Sequence, residues 1–296
     1  MKLIRTLTLL TVFFSCNAQT KLPKLIINKN DNSLLWEISG NGLQQSSYLF
    51  GTFHLMCKND IHFSSQLTTA VGLAEKVYME MDMDDPAIML GGLLLMNMKD
   101  EKTLQQLYTA DEYKRVDNFF RDSLHTSLSF MQKMKPFFLE ALLYPKMMPC
   151  KTISGVEEEL MKVVKQQKKE IKGLETIEFQ ASVFDSIPYE EQAKELLKSI
   201  DSLAVNRNNF DTMMNVYKRQ QISEIENLFS KSEAGMEDHQ DLLLNDRNKN
   251  WVAQLKTIMK TNSVFVAVGA GHLVGKQGLI ALLRKEGYTV KPLLNQ

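Results

Sequence analysis

Two apolar runs near opposite ends of the chain stop in the same way. SYLFGTFHL at 47–55 breaks at Gly51 and presents His54 three positions later, and FVAVGAGHL at 265–273 repeats this with Gly269 and His272. A helical spacing and a second strand-like run follow each. After the first come SSQLTTAVGLA, Ser64 to Ala74, and KVYMEMD, Lys76 to Asp82. After the second come Gly275 to Glu286, with Gly287 placed to close the helix, and YTVKPL from Tyr288. The chain thus spells strand, Gly-x-x-His, helix, strand twice, the order of a βαβ crossover.

The rest of the pattern is mostly helical. LLWEIS at 34–39 and SSYLFGT at 46–52 flank Gly40-Asn41-Gly42 and predict a hairpin. A third, weaker unit has a helix in GVEEELMKVVKQQ, a short strand in KKEIKGLE from Lys168 to Glu175, and a helix starting in TIEFQASVFD. Apolar residues spaced by three and four run through 101–148, 189–229 and Leu242 to Met259, punctuated by Pro136, Pro145 and Pro149. The expected fold is α/β: pseudo-duplicated βαβ half-units share a central sheet with large helical insertions, in one domain over 34–296.

Composition narrows the partners and the compartment. Lys plus Arg equals Asp plus Glu at 35 each in 296 residues, so no net field draws the chain to nucleic acid or an anionic membrane. MKLIR, LTLLTVFF and SCNAQ form the basic, apolar and small-residue parts of an export signal, too short for a membrane span. Residues 1–18 are read as that signal and 19–33 as a polar, flexible tether; the expected location is extracytoplasmic, periplasmic or secreted. Lipidation at Cys16 is the weaker alternative, because Phe13-Phe14-Ser15 makes a poor lipobox. Cleavage before Gln19 leaves Cys57 and Cys150, which permits at most one bridge.

The candidate chemistry collects at the strand ends. A glycine there lets the backbone bend, so each histidine is expected to face the carboxyl edge of the sheet, where α/β sites gather. Two imidazoles from related halves would meet at one place, and a divalent metal held by two imidazoles needs a carboxylate or water to complete its shell. Glu80 lies in the apolar run VYMEM and is the best carboxylate, as ligand or general base; Asp82, two residues on, is expected to orient a histidine. His62, His125 and His239 lack a matching carboxylate and are read as structural. His54 and Cys57 could form a soft-metal pair, but Cys57 is read as a small apolar loop residue. The Met-rich stretch from Met79 to Met98 reads as core, MKPFF at 134–138 as a helix boundary, and the acids at 157–159 as a solvated helix start.

Together GTFHL at 51–55, MEMD at 79–82, GLETIEFQ at 173–180, DRNKNW at 246–251 and VGAGHLVGKQGLIALLRKEGY at 268–288 resemble the TraB/GumN family, whose animal relatives are the Tiki metalloproteases. The resemblance implies the α/β arrangement shared with erythromycin-esterase and ChaN-like proteins. It also implies a metal site of His54, His272 and Glu80, and peptide-bond hydrolysis of a peptide or protein substrate by a metal-bound water. Manganese, cobalt, zinc and iron all suit that donor set. Arg247 and Asn248 match the family's Arg-Asn pair, where arginine could hold a carboxylate or oxyanion, and Glu175 matches a family glutamate. The leading expectation is a secreted metal-dependent peptidase. The alternatives are a non-catalytic binding protein for a peptide or a metal complex such as haem, and histidines that merely pin the sheet edge by hydrogen bonds.

Overall fold

The two runs that end in Gly-x-x-His fold as adjacent parallel strands at the centre of one sheet. The computed structural model describes residues 25–230 and 239–295. Its strands are β1 Leu35–Ser39, β2 Ser47–Thr52, β3 Met56–Cys57, β4 Lys76–Met79, β5 Ile153–Ser154, β6 Ile171–Gly173, β7 Val264–Gly269 and β8 Thr289–Pro292. Six of them form a sheet in the order β6-β4-β7-β2-β1-β8, while β3 and β5 pair separately. The ladder is parallel from β6 to β2, and β1 runs antiparallel to both β2 and β8. The fold is therefore mixed α/β with a mostly parallel central sheet.

The strand order gives physical meaning to the duplication. From the central pair, the first unit crosses over β7 to reach β4, and the second crosses over β2 and β1 to reach β8. The crossings run in opposite directions, so their helices cover opposite faces. On one face Phe50, Val77, Met79, Phe265 and Ala267 pack with Leu67, Ala70 and Val71 of the Ser65–Leu73 helix and with the Val156–Gln166 helix. On the other, Trp36, Leu49, Val266 and Val268 pack with the Asp246–Ile258 and Leu279–Lys285 helices. With both faces covered, β2 is buried at all six positions, which explains its unbroken apolar reading. The expected hairpin forms between β1 and β2, with positive φ at Gly40, Asn41 and Gly42.

The helical insertions form a third core around Val116, Phe120, Leu139 and Leu196. MKPFF begins the Pro136–Ala141 helix, with proline in the first turn where its missing N–H is harmless. Lys135, just before it, is only 1% exposed; its Nζ lies 2.6 Å from Asp185 Oδ1 and donates to Ala181 O at 3.0 Å.

Several expectations need correction. KVYMEMD leaves the sheet at Met79, so Glu80 and Asp82 lie beyond the strand that was expected to run to Asp82. The last helix begins only at Leu279, because Gly275, at φ +81°, bends the chain first. Gly51 does not have the positive φ of a bending glycine; it answers to space, since a Cβ there would lie 2.7 Å from Leu273 Cδ1. Cys57 is no free loop residue: it forms a disulfide with Cys150. Glu157, placed in a solvated helix start, is only 8% exposed. The export signal at 1–18, Cys16 and the first part of the tether lie outside the described residues. Within 25–33 the chain is held in place: Ile27 bridges to Leu293, and Asn28 N–H donates to Pro292 O.

Candidate functional site

At the carboxyl ends of β2, β4 and β7 the side chains of His54, Glu80 and His272 meet above one glycine. A Cβ placed on Gly269 would lie 3.3 Å from Glu80 Oε1, 3.7 Å from His272 Cδ2 and 3.9 Å from His54 Nε2. Parallel pairing of Thr52 with Gly269 brings the two motifs to the same height. The Gly269 N–H donates to Glu80 Oε1 at 2.8 Å, fixing the carboxylate over the end of β7. His272 Nε2 is 3.8 Å from the same oxygen.

Both imidazoles are anchored through Nδ1. His54 Nδ1–H donates to Glu157 Oε1 at 2.7 Å, and the Thr52 hydroxyl donates to that oxygen at 2.6 Å. His272 Nδ1 lies 2.7 Å from Asn248 Oδ1; because Asn248 Nδ2 donates to Gln277 O, the histidine must be the donor. Each ring is left with Nε2 as the nitrogen turned inward. Their surroundings differ sharply. The His272 side chain is 5% exposed and its ring lies 4.4 Å from that of Trp251, whereas the His54 side chain is 77% exposed and stands at the mouth.

Arg247, from the Asp246–Ile258 helix, organises the acids. Nη2 donates to Glu80 Oε2 at 2.7 Å and to Glu175 Oε2 at 2.8 Å, and Nε donates to Glu175 at 3.0 Å. Nη1 donates to Leu243 O at 2.9 Å and approaches His272 Nε2 at 3.3 Å. The Gln180 amide reaches Glu175 at 3.3 Å and Glu80 at 3.4 Å. Glu175 also lines a cavity of about 470 Å³ with Asp82, Leu174, Ile177 and Phe179.

These contacts set the protonation states. Burial alone would raise the Glu80 carboxyl, but His272, Arg247, His54 and the Gly269 N–H hold it at about 2. The hydrogen bond to Glu157 lifts His54 to about 9. Burial pushes His272 down to about 4, leaving a neutral ring with its Nε2 lone pair directed inward.

Of the residues singled out in sequence, His54, His272, Glu80, Arg247, Asn248 and Glu175 are in this cluster. Asp82 is not a histidine partner: the Nδ1 atoms are taken by Glu157 and Asn248, and Asp82 instead faces Asp84. Glu157 was missed, although its signal was present. Glu157, Leu160 and Val164 follow the spacing of one helix face, all buried, so the acid sits on the apolar stripe. Thr52, Gln180 and Trp251 carried no comparable signal beyond lying inside the quoted motifs.

The donor set fits a divalent cation in kind: two imidazoles with Nδ1 hydrogen-bonded outward, one to a carboxylate, beside a carboxylate that has no imidazole bonded to it. Three carboxylates, Glu80, Glu157 and Glu175, against the guanidinium of Arg247 and the protonated ring of His54 also leave surplus negative charge. The spacing does not match: among the described residues no three His, Cys, Asp or Glu side chains are placed so that together they could hold a metal ion.

A model of the TraB/PrgY/gumN family matches residues 34–292. The chain belongs to that family. No curated protein and no solved structure matches it. In this TraB/PrgY/gumN chain, no helix among the described residues is long and apolar enough to cross a membrane.

Proposed function

We propose that this family member is an extracytoplasmic, metal-dependent hydrolase that cleaves peptide bonds. The observation that carries the reading is the meeting of two Gly-x-x-His histidines and Glu80 above Gly269. His272 Nε2, Glu80 Oε1 and His54 Nε2, the last giving up its proton on binding, would hold the divalent cation, with manganese, cobalt, zinc and iron as candidates. When bound, it would supply an acidified water and a polarised carbonyl.

The chain's own residues do the rest. Asn248 fixes the tautomer of His272, so that Nε2 faces the reacting groups. Glu80, fixed by the Gly269 N–H and by Arg247, keeps its negative charge beside the two imidazoles. Arg247 is pinned by Glu175, and Nη1, turned toward His272, stabilises negative charge as it develops on the carbonyl oxygen. Trp251 and the buried His272 ring keep bulk water from the floor. The cavity beside Glu175 is large enough for a substrate side chain and has apolar walls in Leu174, Ile177 and Phe179. The Cys57–Cys150 disulfide supports an oxidising, extracytoplasmic location.

The test is cleavage of a mixed peptide library, read by mass spectrometry, with each cation added in turn. Wild type should cut and the His54→Ala, His272→Ala double variant should not; equal cutting by both removes the site assignment. A second reading, a binding protein without turnover, is favoured by one observation: both oxygens of Glu80 already have donors in Arg247 and Gly269. That reading expects Glu80→Gln to keep ligand binding, with no cleavage by either form.

A further inference from the structure

The two histidines are held by different means, and the difference points to Cys57 and Cys150. His272 is fixed by packing against Trp251 and by Asn248. His54 is solvent-exposed, so its orientation depends on Glu157. Glu157 belongs to a different stretch of chain, held against the His54 segment by a short zip. Val156 N–H donates to Phe53 O at 3.0 Å, Met56 pairs with Ser154, Cys57 pairs with Ile153, and Lys58 N–H donates to Thr152 O at 3.0 Å. The disulfide closes the far end of this zip, with the two Cα atoms 5.8 Å apart.

Two strands of two residues make a marginal sheet by themselves. Side chains add little, since Lys58 and Glu159 are 3.8 Å apart and Lys58 is half exposed. Close approach makes the alignment strict at the other end: a Cβ on Gly155 would lie 2.8 Å from His54 O, so a slipped zip cannot keep Glu157 on the imidazole. Cys57 is buried and Cys150 is half-buried, which leaves the bridge reachable from the Cys150 side.

We propose that Glu157 is the positioning residue for His54 and that the Cys57–Cys150 disulfide is the clamp that keeps it in place. The site is then complete in the oxidised chain and slack in the reduced one. The inference rests on the reading of His54 as a site residue, though not on turnover. Reduction by a dithiol delivers two electrons and two protons, breaks the Sγ–Sγ bond and yields two cysteine thiols and the oxidised dithiol.

The test uses the metal-free full chain, with the imidazole N–H protons followed by NMR. Oxidised wild type should show a far-downfield proton from His54 Nδ1–H, held by its bond to Glu157 and assigned by its loss in His54→Ala. Dithiol treatment should remove it while circular dichroism stays folded, and reoxidation should restore it; Glu157→Gln should shift it upfield with the disulfide intact. Cobalt(II) affinity, measured separately, should fall about 10- to 100-fold in reduced protein and in Glu157→Gln. If dithiol unfolds the chain, the Cys57→Val, Cys150→Ala pair, which fills the same space, takes its place. A His54 proton unchanged on loss of the bridge overturns the clamp, and unchanged cobalt affinity in Glu157→Gln overturns the positioning role. The proton reports on the clamp whether or not any peptide is cut, so failure of the hydrolase reading would be seen separately.

Discussion

Replacing Gly269 with alanine adds one methyl at the point where the proposed site converges. The backbone accepts it, because Gly269 has φ −50° and ψ 137°, ordinary values for an L residue, and its N–H remains free to donate to Glu80. The restricted unfolded chain should favour the variant by about 0.4–1 kcal/mol. Against this, the methyl would lie 3.3 Å from Glu80 Oε1, which must give by a few tenths of an ångström. The two effects nearly cancel, so the melting temperature should move by no more than about 2–4 °C. Function should respond quite differently. The methyl would sit 3.7 Å from His272 Cδ2 and 3.9 Å from His54 Nε2, in the space a reacting group must use. A displacement on the order of 1 Å at a reacting centre costs about 100-fold, or about 2.7 kcal/mol of activation free energy. The assay is kcat/KM on a cleaved peptide beside a thermal melt of the same preparation. Near wild-type kcat/KM would refute the placement, because no rotamer can move a Cβ out of the way.

Other substitutions probe the frame around the site. Gly51→Ala should destabilise by about 1–3 kcal/mol, because its methyl would lie 2.7 Å from Leu273 Cδ1 in a filled core; an unchanged denaturant midpoint would contradict this packing. Lys135→Met should cost about 1.5–3 kcal/mol by removing the closest cation from half-buried Asp185, which keeps Lys99 and Tyr189, read by urea unfolding. Burial would raise the Asp185 carboxyl, but hydrogen bonds from Lys135, Tyr189 and Lys99 hold it below the usual value. Its contribution is therefore present above the unfolded carboxyl range, near pH 4, and lost as pH falls through the lower folded value. Lys135→Met should accordingly show a flatter acid limb than wild type. Removing the Cys57–Cys150 bridge, which spans 93 residues of sequence, should lower stability by roughly 4–5 kcal/mol on the chain-entropy account; an unchanged melt would show that the bridge constrains nothing.

The central strands were legible because burial on both faces leaves an unbroken apolar run, and the duplicated Gly-x-x-His survived because both copies end at the same height. Glu80 was legible as an acid in an apolar context, whereas the end of its strand was not. β4 stops at Met79, where its pairing with Gly173 ends, and no local residue marks that stop. Asp82 was misplaced for that reason. Glu157 was hidden by its neighbours: three consecutive acids at a helix start suggest solvation, and only the spacing to Leu160 and Val164 separates the buried one. The partnership of Cys57 with Cys150 depends on the pairing of two-residue strands too short to carry a periodic signal. The glycines were correctly singled out, though for bending; the structure uses Gly51 and Gly269 for close approach.

The central claim is that one site is built jointly from both halves of the chain, and a cobalt(II) titration followed by visible absorption tests it most directly. The account predicts one cobalt per chain, with ligand-field bands that are lost in His54→Ala and in His272→Ala alike. Bands of unchanged position and intensity in both variants would contradict it.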